Sequence, residues 1–382
     1  MPATTYMVVD PRRDHSLRVP RPDLSLELDT PNACTGCHAD ENAEWAAATV
    51  AAWHPEGRQQ TAHYGQALHA GRSWPANRAD ALRGLVIDTT IPPIVRATAV
   101  GLLARQIDDA ALDVIDQVLQ GDETLIQLSA LDVLESTPPE LRIQAAQQFL
   151  THPLRSLRMA AARVLLPARD ELSDRRADDL DTALAEYRDA QLFNADRAEG
   201  LLNWGSTLAQ LGRPDEAVEF LENAIERAPA FSPAYINLAD IYRLSGTEER
   251  AQALLIEAIE YNPQGAGAHF ALGLSLVRSG DPQGAFAELE RAAELAPDAP
   301  HYQYVIGIAL NSNGERGRAI ESLAQAHERF PGHRDTLLAL ATIHRDGGEI
   351  ELATEYARRL LALSPSDNVA RGLLNELESL TH

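Results

Sequence analysis

Residues 198–231 read AEGLLNWGSTLAQLGRPDEAVEFLENAIERAPAF, and the same 34-residue pattern returns four more times before the chain ends. Prolines stand at Pro229, Pro263, Pro297, Pro331 and Pro365 without slippage. Alanines keep the step at Ala217, Ala251, Ala285, Ala319 and Ala353, and again at Ala224, Ala258, Ala292 and Ala326, with Leu360 in the fifth place. Small residues Gly205, Ala239, Gly273, Gly307 and Ala341 and glycines Gly212, Gly246, Gly280, Gly314 and Gly348 complete the ladder. Each rung has a physical reason. Small side chains at the eighth and twentieth positions lie where the two helices of a unit cross, and a bulkier group there would force the axes apart. The glycine takes the turn between the helices, and the proline closes the second one.

This ladder is that of the tetratricopeptide repeat, so residues 198–382 are expected to form five stacked helical pairs. Projected backward, the register puts Ala183 and Ala190 at the two crossing positions, so 171–197 reads as a degenerate linking repeat with a helix over Leu180–Phe193. Projected forward, Ser366–Leu380 reads as the capping helix that the end of a solenoid needs. The fifth position of each first helix should face inward, giving the strip Leu202, Ile236, Phe270, Tyr304 and Leu338. Such a strip suits a peptide or a partner helix. It equally suits packing against the preceding repeat or an N-terminal domain. Arg243 and Arg345 are the basic side chains expected on that face, too few to clamp a terminal carboxylate.

Upstream, residues 76–170 alternate short amphipathic stretches with Pro-Pro or His-Pro turns: Ile91-Pro92-Pro93, Thr137-Pro138-Pro139 and His152-Pro153. Arg96 and Arg142 follow the two Pro-Pro pairs at a separation of 46 residues, which predicts HEAT-like helical pairs, with an ordinary helical bundle as the alternative. Composition agrees with helix throughout: hydrophobic residues make up 45% but aromatics only 5%, the signature of small-residue helix packing rather than of a β-sandwich. A net charge of -23 argues against a phosphate backbone or an anionic lipid surface as partner. No stretch is long and apolar enough to be a membrane span.

Residues 1–75 are proline-rich and read as mostly irregular, with one helix over Asp40–Trp53, and they hold five of the twelve histidines. Here stand the chain's two cysteines, in Cys34-Thr35-Gly36-Cys37-His38, the C-x-x-C-H attachment signature of haem c. Two thiols three positions apart can each form a thioether to a porphyrin vinyl group, and the adjoining imidazole reaches the iron. A zinc site from Cys34, Cys37, His63 and His69 is the competing reading. It is the poorer match, because 25 residues separate Cys37 from His63 and His38 is left without a role.

With these three segments in this order, the chain resembles the bacterial multihaem c-type cytochromes fused to tetratricopeptide repeats. The likeness spans the full length and is most specific at Asp14-His15-Ser16 with Arg18-Val19-Pro20-Arg21-Pro22-Asp23, at Thr30-Pro31-Asn32-Ala33-Cys34 through His38, and at His63-Tyr64-Gly65. The resemblance implies thioethers at Cys34 and Cys37, His38 as proximal iron ligand, and a second histidine on the far face. His63 is the first choice for that distal ligand and His15 the second, followed by His54 and His69, with Met7 a weak alternative. Met1-Pro2 resembles the end of an upstream haem motif in that family. A start inside a longer reading frame is therefore expected, omitting a signal peptide and further haems.

The expected function is electron transfer, with haem c as cofactor, a redox partner protein, a protein or peptide in the repeat groove, and a periplasmic or otherwise exported setting for the complete protein, although the sequence shows no signal peptide. The alternative is an interaction scaffold whose haem motif is unused. Neither reading is enzymatic, unless missing upstream haems were catalytic.

Overall fold

The computed structural model describes residues 3–6, 10–13, 19–75, 77–105 and 107–380. It divides into two compact units, Met1–Ala70 and Gly71–His382. Among the described residues the architecture is helical, apart from one antiparallel strand pair, β1 (Ala3–Tyr6) and β2 (Asp10–Arg13), in register Ala3 to Arg13.

The first unit holds more regular structure than its prolines suggest. Pro22 opens helix α1 (Pro22–Leu28) instead of breaking it, because proline at the first helical position loses no hydrogen bond. Helix α2 (Ala43–Trp53) starts three residues later than the sequence suggests, where the Asn42 side chain accepts the Trp45 N–H at 2.9 Å. It packs on α1. Helix α3 (Tyr64–Ser73) runs past the end of the unit.

The second unit opens with helices α4 (Arg78–Ile87), α5 (Pro93–Leu103), α6 (Asp109–Leu119), α7 (Thr124–Leu134), α8 (Pro139–Ala146) and α9 (Arg155–Leu165). Helix α5 packs on α7 and α7 on α9, while α4 packs on α6, so the helices stack as successive pairs in two rows. Starts at Pro93, Thr124 and Arg155 give this stack a step of 31 residues, not the 46 read from Arg96 and Arg142. Those arginines sit in opposite rows. What they share is a local role, since Arg96 donates to Val86 O at 2.8 Å and Arg142 to Thr137 O at 2.7 Å, satisfying carbonyls left over where the preceding helix ends. The proline-marked helix starts hid the pair that begins at Thr124 without one.

Helix α10 (Asp174–Phe193) links this stack to the repeats through buried Leu180, Ala183, Leu184 and Tyr187. Then come α11 (Ala198–Gln210), α12 (Pro214–Arg227), α13 (Ser232–Leu244), α14 (Glu248–Tyr261), α15 (Ala266–Ser279), α16 (Pro282–Leu295), α17 (Pro300–Ser312), α18 (Arg316–Arg329), α19 (Arg334–Asp346) and α20 (Ile350–Leu363). Five helix pairs thus begin at Ala198, Ser232, Ala266, Pro300 and Arg334 in the 34-residue register, and α21 (Asn368–Leu380) caps them with buried Ala370, Leu373 and Leu377. All five turn glycines have positive φ, from 70° at Gly212 to 81° at Gly314. In each turn the next residue's N–H reaches back five positions, as Arg213 N–H does to Leu208 O at 2.9 Å, the Schellman closure that a left-handed glycine permits.

Candidate functional site

In the first unit the chemistry-bearing residues are gathered by one helical turn. Cys37 N–H and His38 N–H both donate to Cys34 O, at 3.1 and 2.9 Å. The Asn32 side-chain oxygen accepts from Cys34 N–H and Thr35 N–H at 3.1 Å each, and its amide reaches Ser25 Oγ on α1 at 3.2 Å. Asn32 therefore caps the turn and ties it down. Residues at i, i+3 and i+4 of a helical turn share a side, so Cys34, Cys37 and His38 stand together. Cys34 is half-buried, and Cys37 and His38 are exposed.

These three residues form one wall of a cavity of about 230 Å³ whose other wall is α2, through Trp45, Thr49 and Trp53 one turn apart, with Ala46 and Val50 between them. The His38 and Trp45 rings are 4.9 Å apart. Trp53 is 71% exposed, an indole surface left uncovered beside two free thiols. Two thiols, an imidazole and an apolar wall fit the edge of a flat apolar macrocycle. This wall is a contribution that the reading of residues 1–75 missed, although the spacing of Trp45, Thr49 and Trp53 along one helix face was visible in it.

His54, His63 and His69 do not line the cavity, and His15 and Met7 lie outside the described residues. His63 precedes α3, where its Nδ1 accepts the Gly65 N–H at 3.0 Å and its own N–H donates to Gln66 Oε1 at 2.8 Å. An imidazole accepting at Nδ1 carries its proton on Nε2, the reverse of the tautomer that ligates metal through Nε2. Among the described residues no group of three or more His, Cys, Asp or Glu is placed to hold a metal ion, so Cys34, Cys37, His63 and His69 are not assembled as a zinc site.

In the second unit, Leu202, Ile236, Phe270, Tyr304 and Leu338 occupy the expected place on α11, α13, α15, α17 and α19 and are all half-buried. Each packs partly against buried side chains around it: Ile236 against Ala251, Leu255 and Leu272, and Tyr304 against Leu323, Leu340 and Ile343. Ile236 and Phe270 meet at a pocket of about 300 Å³ floored by Gly267, Ala271 and Leu274. Gly267 makes room for it, since a Cβ there would come within 3.2 Å of Ile236 Cδ1. That second-position residue is Glu199, Pro233, His301 and Asp335 in the other repeats, so the opening was legible but unread. The Phe270 ring continues to Tyr302 at 4.7 Å and His301 at 5.5 Å. Arg243 is paired with Asp240 at 3.1 Å, and Arg345 with Asp346 at 2.8 Å and Glu376 at 3.3 Å. The groove's arginines are thus already neutralised.

Family models described as tetratricopeptide repeat match residues 208–272, 249–300 and 304–368. No curated protein matches the chain. Among solved structures the chain is similar to YrrB, described as a TPR protein with an unusual peptide-binding site, at 22% identity over 49% of this chain and 96% of that one, with a TM-score of 0.36. It is also similar to TTC0263, a TPR protein of Thermus thermophilus, at 23% identity over 48% and 99% with a TM-score of 0.38, and to MamA of Desulfovibrio magneticus, at 18% over 45% and 97% with a TM-score of 0.38. The helical pairs that follow α10 are tetratricopeptide repeats.

Proposed function

We propose that the chain is a docking protein whose repeat array holds a protein or peptide segment by apolar contact. The observation that carries this reading is the pocket between Ile236 and Phe270, open, apolar and bordered by arginines that already have carboxylate partners. Such a surface selects aromatic or aliphatic side chains rather than a terminal carboxylate. The families that match are repeat families, so the reading is non-enzymatic. Selection from a random peptide library on the intact chain tests it. Enriched peptides carry apolar anchors, and Phe270→Ala, which leaves the helical signal in place, weakens their binding by about tenfold or more. Peptides that bind the variant unchanged would remove this pocket from the function.

Electron transfer is the second reading, favoured by the capped turn of Cys34, Cys37 and His38 against the Trp45 and Trp53 wall. Haem c would be held by the two thiols and by His38, and when bound it supplies a one-electron ferric–ferrous couple. Asn32 holds the two thiols in register, and Trp45 and Trp53 would supply apolar surface to the group. A distal histidine belongs to this reading, as do a redox partner and an exported location: His63 is the first choice, its Nε2 free to ligate only after the ring proton moves to Nδ1 and the Gly65 N–H contact is given up, and His15 is the second. Expression with haem-attachment machinery in an exporting host decides between the readings. Covalent haem lost on Cys34→Ala with Cys37→Ala supports the electron carrier, and bare thiols in exported material leave the docking array alone.

A further inference from the structure

Trp74 combines features that rarely meet in one residue. It is 6% exposed, its φ is +60°, and its indole N–H is buried without a hydrogen-bond partner. A bulky residue in the left-handed region is strained, and an orphaned buried donor costs stability as well. Strain of this kind persists only where surrounding contacts impose it. The contacts here come from the repeat array: Gly332 N–H donates to Trp74 O at 2.7 Å, and the His333 ring meets the indole edge-on at 5.3 Å. On the other side the Arg78 guanidinium lies 3.7 Å over the indole.

The receiving surface is particular to the fourth repeat. Gly332 occupies a position held by Ala230, Gln264, Asp298 and Ser366 in the other units. A Cβ at Gly332 would come within 2.8 Å of Trp74 O and 2.9 Å of Pro75 O, so any of those four side chains would exclude the segment. His333 also stands 6.0 Å from Tyr304, the fourth member of the apolar strip.

We propose that Trp74-Pro75 is a tethered occupant of a peptide-reading subsite formed by Gly332, His333 and Tyr304, held at a cost and displaced by a partner. The partner's chemistry follows from what the segment presents and lacks: an extended peptide bringing an aromatic side chain to His333, a carbonyl to the Gly332 N–H, and relaxed backbone angles. This rests on the docking reading above for what does the displacing, while the latch itself is an intramolecular contact with its own readout.

Trypsin cleavage after exposed Arg72, followed by mass spectrometry of the intact chain, reads the latch. Gly332→Ala, and separately Trp74→Ala, accelerate that cleavage by about tenfold while the helical signal is kept, because the segment opens more often. Should one variant lose its helical signal, the other still carries the measurement. A peptide of residues 71–79, GRSWPANRA, with blocked ends, binds the Trp74→Ala chain about tenfold more tightly than the wild type, and Gly332→Ala added to that chain removes the gain. Equal cleavage in wild type and variants, or equal peptide binding to both chains, overturns the latch. Library peptides that bind through Phe270 while cleavage at Arg72 is equal in wild type and both variants would sink the latch and leave the docking function standing.

Discussion

At Gly307 a Cβ would overlap Cγ of Leu323, whereas at Gly205 the corresponding approach to Leu221 is 3.1 Å and at Ala239 and Ala341 a methyl group is already accommodated. The crossing of paired helices is therefore tightest in the fourth repeat. Gly307→Ala is expected to cost about 1–3 kcal/mol of urea-measured stability, with Gly205→Ala costing less. In the first unit the comparable single residue is Asn32. Without its side-chain oxygen the amides of Cys34 and Thr35 lose their acceptor, and a cap of this kind contributes about 1 kcal/mol. Asn32→Ala should speed hydrogen exchange at those two amides by about fivefold to tenfold, and unchanged exchange would mean that the turn holds itself. The cysteine motif was legible as a motif; the cap that organises it was not, because Asn32 reads in sequence as one more loop residue.

Between elements, the terminal helix α21 covers side chains that an interior repeat would otherwise cover: Ala370 packs with Leu337 and Leu360, and Leu373 and Leu377 with Ala341, Ala353 and Ala357. Repeat arrays are stabilised by nearest-neighbour interfaces, so loss of the cap acts locally. Leu377→Ala, removing a fully buried side chain, should cost about 2–5 kcal/mol. Hydrogen exchange should show the loss in α19 and α20 while α11 and α12 remain protected. Uniform loss across all five pairs would contradict nearest-neighbour coupling. The helices of the 34-residue repeats were readable to within a residue or two because their boundaries are written in proline and glycine. The 31-residue step of α4 to α9 was not, since Thr124 opens its helix with no such mark and Arg96 and Arg142 advertise a local carbonyl contact that recurs in both rows.

For the second unit as a whole, acid should be felt where its first residues meet its fourth repeat. Burial, with Arg78 and His301 nearby and Asp335 only partly opposing them, pushes the His333 imidazole down to about 4. Its Nδ1 accepts the Thr336 N–H at 3.3 Å and faces the Thr336 hydroxyl at 2.7 Å, so the folded state holds it neutral. The unfolded chain takes up a proton near the ordinary histidine value of 6.5, which the folded chain refuses. Stability from this group is thus complete above pH 6.5 and falls as the pH drops toward 4. The loss should reach at most about 2 kcal/mol at pH 5. Urea midpoints of wild type and His333→Asn at pH 7 and pH 5 check the sign: the wild type should lose more than the variant.

The local code alone determined the helical class, the five repeats with their turns and cap, and the grouping of two thiols and an imidazole at residues 34–38, because each depends on backbone angles, helix periodicity or spacing within a single turn. Tertiary structure decided which surfaces stay open and which are filled. The turning of the α2 indole face toward the cysteines, the space left open between Ile236 and Phe270 beside Gly267, and the seating of Trp74 against Gly332 are contacts between separate elements. Contacts of that kind leave no period in the chain, and only the packed molecule brings them together.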